Sequence, residues 1–131
     1  LKLAKDLART TLTDGNRLQV YHQAGPAFEA IEAAIRDARH SIHLEYYIFQ
    51  PDHVGTRIRD LLIARAKQGV RVRFLYDSVG SLRLSRGFVR PMREAGIEVR
   101  PFLSGRGFWE RWSINFRSHR KIVVVDGRVG F

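Results

Sequence analysis

The chain has 131 residues and contains no cysteine, one methionine, four prolines and few acids, 13 Asp and Glu against 23 Lys and Arg. Without cysteine there is no disulfide framework, no thiolate zinc site and no cysteine nucleophile. Metal ligation is left to the five histidines and the carboxylates. No run approaches the roughly 18 to 20 apolar residues that cross a bilayer as a helix, and the amino end carries no signal-peptide apolar core. What is there is a hydrophobic content of 44% beside a net charge of +10 at pH 7. That much apolar surface offsets the entropy of ordering and excludes a disordered polyelectrolyte, and the length fits one core.

The chain starts at Leu1 and stops at Phe131 inside an apparent strand, so it reads as a piece of something longer. Residues 1–14 form a weak helix or linker, and 15–131 form the domain. The alternation of Leu18 and Val20 with polar neighbours predicts a short strand over Arg17 to His22. Phe28, Ile31, Ala34, Ile35 and Ala38 recur at three and four residues, predicting an amphipathic helix opened by Pro26 and ending near His40. Ser41 to Phe49, rich in aromatic and β-branched residues, predicts a strand. A helix over Gly55 to Gln68 stops at Gly69, and a strand follows over Val70 to Tyr76. After a loop over Asp77 to Ser85, a helix ending at Gly96 is expected to hold Pro91 in an early turn, and Ile97 to Phe102 to form a strand. His119 to Phe131 reads as strand, Asp126-Gly127 turn, strand. Strands alternating with helices predict an α/β fold with a mixed, largely parallel sheet sandwiched between helices. Ile122 to Val125, apolar at every position, is expected to be buried on both faces.

The positive charge is not spread evenly. Residues 83–121 hold 10 basic residues, nine of them Arg, and 3 acidic ones. Arginine's planar fork suits phosphate, so this stretch points to nucleic acid, an anionic membrane surface or a phosphorylated substrate. The interleaved Phe108, Trp109 and Trp112 fit base stacking and interfacial membrane contact equally well.

His119 and Lys121 are two residues apart on a strand and therefore project from one face where it leaves the core, with Arg120 on the other. A neighbouring cation favours the neutral, nucleophilic imidazole. An anion between the two groups makes the pair useful: the ring attacks phosphorus and the ammonium neutralises the non-bridging oxygens. A phosphodiester fits both.

His119-x-Lys121-x-x-x-x-Asp126 matches the HKD signature of the phospholipase D superfamily. Further agreement comes from Ser41 to Phe49, Asp52-x-x-Gly55, Gly69 to Asp77 with Gly80-Ser81, Ala95 to Val99, and Asn115-x-Arg117-x-His119. Together these segments resemble the first catalytic half of the bacterial cardiolipin synthases. The resemblance implies a phospholipase D-like fold and two HKD motifs, from one chain or a dimer, meeting at one site. One histidine becomes a covalent phosphohistidine while the other acts as general acid and then base. Neither metal nor other cofactor is implied. His119 is expected as the nucleophile, Lys121 as the phosphate ligand and Asp126 as an organising residue at the far end of the strand. Asn115, Arg117, Arg120, Glu45 and Asp77 are the candidate substrate contacts. His22, His40, His43 and His53 lack the lysine two positions on that a second motif needs. The fragment is therefore expected to be inactive alone.

The leading expectation is phosphatidyl transfer that forms cardiolipin from phosphatidylglycerol at a bacterial cell membrane, with a second HKD half as partner. The alternatives are a phosphodiesterase acting on nucleic acid, and a non-catalytic half that binds anionic lipid.

Overall fold

A computed structural model describes residues 14–102 and 119–131. Its element order is α1 (Ala24–Asp37), β1 (Ser41–Tyr46), α2 (His53–Lys67), β2 (Arg71–Asp77), α3 (Arg86–Glu94), β3 (Glu98–Phe102), β4 (Lys121–Val125) and β5 (Val129–Gly130). The five strands form one sheet in the order β3-β2-β1-β4-β5. β1, β2 and β3 run parallel, with Ser41 opposite Arg71 and Arg73 opposite Glu98. β4 enters antiparallel beside β1, pairing Tyr46 with Lys121 and Ile42 with Val125. This is a mixed α/β fold.

Local chemistry sets the element ends. Asp52 caps α2, its Oδ1 accepting from the Gly55 N–H at 2.8 Å, and Ser85 caps α3 by accepting from the Phe88 N–H at 3.1 Å. Gly69 and Gly96 end these helices with φ of 90° and 85°, a conformation that costs glycine little. Pro91 lies inside α3 rather than in its first turn. Its ring leaves the Gly87 carbonyl without the usual i+4 donor. The helix persists because Phe88, Val89 and Met92 are buried and the Pro91 carbonyl still accepts from Ala95 N–H at 3.1 Å.

The core lies between the sheet and the helices. Ile42, Leu44, Val72, Phe74, Val99, Val123 and Val125 alternate onto one face and meet Ile31, Ile35, Ile58, Leu62 and Met92 from α1, α2 and α3. Each such side chain contributes about 1.5–3 kcal/mol by leaving water. Glu32 in α1 is buried as well, and is held by Arg57 of α2 through Nε at 3.0 Å and Nη2 at 2.7 Å, and by Arg36 at 3.0 Å. Two guanidinium groups make that burial tolerable and tie α1 to α2.

Two expectations need correction. Among the described residues α1, α2 and α3 all pack on the face of the sheet that carries the core. Consequently Ile122 to Val125 is not buried on both sides: Val123 and Val125 are buried, whereas Ile122 is 37% exposed. Ile122 and Val124 line a groove of about 330 Å³ on the other face with His43, Arg73, Leu75 and Arg100. A run of apolar residues reports affinity for burial but not whether both faces are covered. Likewise, no strand forms over Arg17 to His22, where Leu18 and Val20 are exposed. Alternation makes a strand only when a neighbouring ladder satisfies its backbone. The expected helix at the amino end and the residues between Phe102 and His119 lie outside the described residues. No helix among the described residues is long and apolar enough to cross a membrane.

Candidate active site

Because β4 runs antiparallel to β1, the start of β4 lies beside the carboxyl end of β1. That is the edge where open α/β sheets place ligands. There the chain leaves β1 through Tyr47, whose N–H donates to the Arg120 carbonyl at 3.0 Å. The His119 imidazole stacks on the Tyr47 ring, with centroids 4.1 Å apart and planes within 13°. Lys121 Nζ sits 6.0 Å from the centre of the same ring and donates to the His119 carbonyl at 3.0 Å. His119 and Lys121 are both exposed. A single aromatic ring therefore limits rotation of the imidazole and attracts the ammonium.

Tyr47 is in turn held by the loop after β2. Ser81 is buried, accepts from the Phe49 N–H at 2.9 Å and donates to the Tyr47 carbonyl at 3.2 Å. Gly80 packs so closely that a Cβ there would lie 2.2 Å from the Tyr47 carbonyl oxygen. Asp77 shapes this loop: its Oδ1 accepts from the N–H groups of Val79 at 2.9 Å and Gly80 at 2.8 Å, and its carbonyl from Ser81 N–H at 3.0 Å. Asp77, a candidate substrate contact, is 4% exposed, with Oδ1 engaged within its own turn. The Gly80-Ser81 pair after β2 stands out in the sequence, whereas its role in seating Tyr47, and the role of Tyr47 itself, are not legible there because the contact joins segments more than thirty residues apart.

Glu45 pairs with Ile122 and Leu75 on the open face of the sheet, whereas Lys121 pairs with Tyr46. It lines a small cleft with Tyr47, Tyr76, Asp77 and Phe102. Arg120 is exposed beside His119. Asn115 and Arg117 lie outside the described residues.

Asp126 is at the opposite edge. It opens the β4–β5 turn with φ of 53°, followed by Gly127 at 67°, the positive-φ pair that a tight hairpin requires. Its carboxylate accepts from three successive backbone N–H groups, Ser41 at 2.8 Å, Arg39 at 2.9 Å and His40 at 2.7 Å. These bonds, led by those from Ser41 and Arg39, hold its pKa down to about 2 from the usual 3.8. The turn is thereby tied to the α1–β1 connection. A depressed carboxyl pKa stabilises the fold above about pH 4, and the contribution is lost as pH falls through about 2. Asp126→Asn keeps the positive φ but removes the charge. The variant is expected to melt lower at pH 7 and to lose the part of the acid dependence of Tm between pH 4 and 2 that Asp126 supplies. Circular dichroism melts across that range check this.

The family model described as "Cardiolipin synthase, PLD-like domain" matches residues 31–131. The chain belongs to this family. Among its relatives, the cardiolipin synthase of Halalkalibacterium halodurans is 42% identical over 130 residues, covering 99% of this chain and 26% of that protein. Cardiolipin synthase 1 of Bacillus cereus is 52% identical over 104 residues, covering 79% of this chain and 20% of the relative. The chain thus spans about a quarter of the length of these cardiolipin synthases. Among solved structures, the phospholipase D family member Nuc from Salmonella typhimurium superposes with a TM-score of 0.51 at 24% identity, over 75% of this chain and 56% of that one. TrmBL2, an archaeal chromatin protein, superposes with a TM-score of 0.58 at 16% identity, over 95% of this chain and 42% of that one. At these identities both likenesses concern the fold.

Proposed function

We propose that this chain is a catalytic half of a phosphatidyltransferase that forms cardiolipin from phosphatidylglycerol at a bacterial membrane. The observation that carries the reading is the convergence of His119 and Lys121 on the Tyr47 ring at the carboxyl edge of the sheet, in a chain 42% identical to a cardiolipin synthase over nearly its whole length. An imidazole held by stacking and exposed to solvent suits attack on a phosphodiester, and an ammonium beside it suits the accumulating negative charge.

In the proposed reaction a ring nitrogen of His119 attacks the phosphorus of a phosphatidyl donor. The bond to glycerol breaks, and a general acid from a second HKD half protonates the departing alkoxide. The glycerol hydroxyl of a second phosphatidylglycerol, deprotonated by that same group, then attacks the phosphohistidine. The N–P bond breaks, and cardiolipin leaves with His119 restored. Lys121 holds the non-bridging oxygens throughout. Arg120, Arg117 and Asn115 are assigned to the anionic headgroups, and Glu45 to the rim of the substrate cleft. Asp77 and Asp126 act as positioning residues, one through the loop that seats Tyr47 and the other through the β4–β5 turn. The second half comes from the same chain or a dimer mate.

The test is an assay of the protein carrying this chain with vesicles of radiolabelled phosphatidylglycerol, read by thin-layer chromatography. The reading predicts labelled cardiolipin and an equal amount of glycerol. Cleavage of a DNA oligonucleotide with neither cardiolipin nor glycerol formed would replace it with a nuclease.

A further inference from the structure

The rim around the candidate site carries side chains that the chemistry just proposed leaves idle. Ile48, two residues past β1, is 45% exposed, and Val79, two residues past β2, is 46% exposed. Leu82 is 76% exposed. Water is an unfavourable place for three aliphatic side chains at the carboxyl edge of one sheet. Ser81 ties the exit of β1 to the loop after β2 by bridging the Phe49 N–H and the Tyr47 carbonyl, so the backbone at Ile48 runs beside the loop that carries Val79 and Leu82. The same Tyr47 bears His119.

Positive charge predominates on the loop after β2 and along α3. Residues 78–93 contain Arg83, Arg86, Arg90 and Arg93 and no acid. Arg83 and Arg86 are exposed on either side of the partly buried Leu84, and His119, Arg120 and Lys121 are exposed at the same edge. Of the nearby acids, Asp77 accepts bonds within its own turn through Oδ1, Asp52 caps α2, Glu94 pairs with Arg90 at 3.3 Å, and Glu45 lines the cleft beside Tyr47.

We infer that Ile48, Val79 and Leu82, flanked by Arg83 and Arg86, form a surface that docks on an anionic phospholipid bilayer. The aliphatic tips enter the acyl boundary and the arginines stay with the phosphates, so His119 is presented at headgroup depth. Aliphatic burial beside interfacial cations is the pattern of a peripheral membrane contact. Nucleic acid is the weaker match, because its bases stack on aromatic rings while branched aliphatics gain little from phosphate or sugar. The inference deepens the phosphatidyl-transfer reading and rests on it for the choice of an anionic phospholipid.

The absence of native cysteine permits a direct test. Leu82→Cys and, at the opposite edge beyond Asp126, Arg128→Cys are each labelled with an environment-sensitive fluorophore in the full 131-residue chain. Vesicles of phosphatidylglycerol with phosphatidylcholine are expected to blue-shift the label at position 82 and leave that at 128 unchanged. Pure phosphatidylcholine is expected to give a much smaller shift, and added salt to reduce the phosphatidylglycerol response. In the unlabelled chain, Leu82→Asp is expected to lower co-sedimentation with the anionic vesicles by about tenfold, and Leu82→Ile to preserve it. Equal shifts at both positions, no shift at 82, or reproduction of the shift by an oligonucleotide would overturn the surface. Because this readout does not need turnover, a shift at 82 in the chain, together with no cardiolipin from the whole protein that carries it, leaves the docking surface standing and removes the transferase reading. Cardiolipin synthesis with no shift at 82 removes the surface alone.

Discussion

His119→Ala is expected to abolish cardiolipin formation, with a loss on the order of 10⁴-fold or more in kcat, the scale seen when a covalent nucleophile is removed. A nucleophile cannot be bypassed by better binding, because the covalent phosphoryl intermediate never forms. The expected signature goes beyond a slow rate. With phosphatidylglycerol labelled at phosphorus, parent protein quenched in sodium dodecyl sulfate should retain label that is stable in base and released in acid, as an N–P bond demands, and His119→Ala should retain none. Lys121→Ala should still bind vesicles but accumulate label far more slowly, since its ammonium is assigned to charge that grows in the transition state. His119 is exposed and contributes no core packing, so the melting temperature of His119→Ala should stay close to that of the parent. If His119→Ala keeps full activity, the site lies elsewhere, and the convergence on Tyr47 has another purpose.

The second large effect is expected at a residue that touches no substrate. Gly80→Ala would place a methyl group 2.2 Å from the Tyr47 carbonyl oxygen and 3.1 Å from the Tyr47 ring. Backbone cannot move aside as a flexible side chain does, so the loop or the exit of β1 must shift. Overpacking of this kind costs about 1–3 kcal/mol, a fall in Tm on the order of 5–10 °C. The exit of β1 carries Tyr47, and Tyr47 carries His119, so the displacement should reach the imidazole and lower kcat by about 10- to 100-fold even where the protein stays folded. Gly87→Ala is the internal comparison. A Cβ there meets the Ser85 Oγ at an ordinary 3.7 Å, and alanine in a helix gains about 0.5–1 kcal/mol over glycine. Thermal melts of the two variants, with turnover measured below both transitions, separate a general intolerance of substitution from the specific contact at Tyr47.

Much of the fold was legible because local rules and burial agree in its elements. α1, α2 and the strands β1 to β3 have clear apolar periods and well-placed stops, such as Asp52 and Gly69, and each lies within a few residues of its expected bounds. Where a local pattern had no tertiary partner, expectation and structure diverged. Leu18 and Val20 alternate correctly yet have no ladder to join, and Pro91 is tolerated inside α3 because the buried Phe88, Val89 and Met92 hold the helix in place.

The amino-acid sequence alone determined the absence of thiol chemistry, the excess of arginine before the last strands, and the pairing of His119 with Lys121 at a two-residue spacing. It also determined the Asp126-Gly127 turn, because few other pairs accept positive φ at both positions. Tertiary structure alone decided what these residues meet. It placed β4 antiparallel beside β1, which brings His119 onto Tyr47 across more than seventy residues of sequence. It turned Asp77 toward its own turn, and gave Asp126 three backbone donors from the α1–β1 connection. The physical reason is common to these cases. Periodicity and turn chemistry act over a few residues and are encoded locally, whereas strand order and register follow from how the whole core closes, and no short stretch of sequence specifies them.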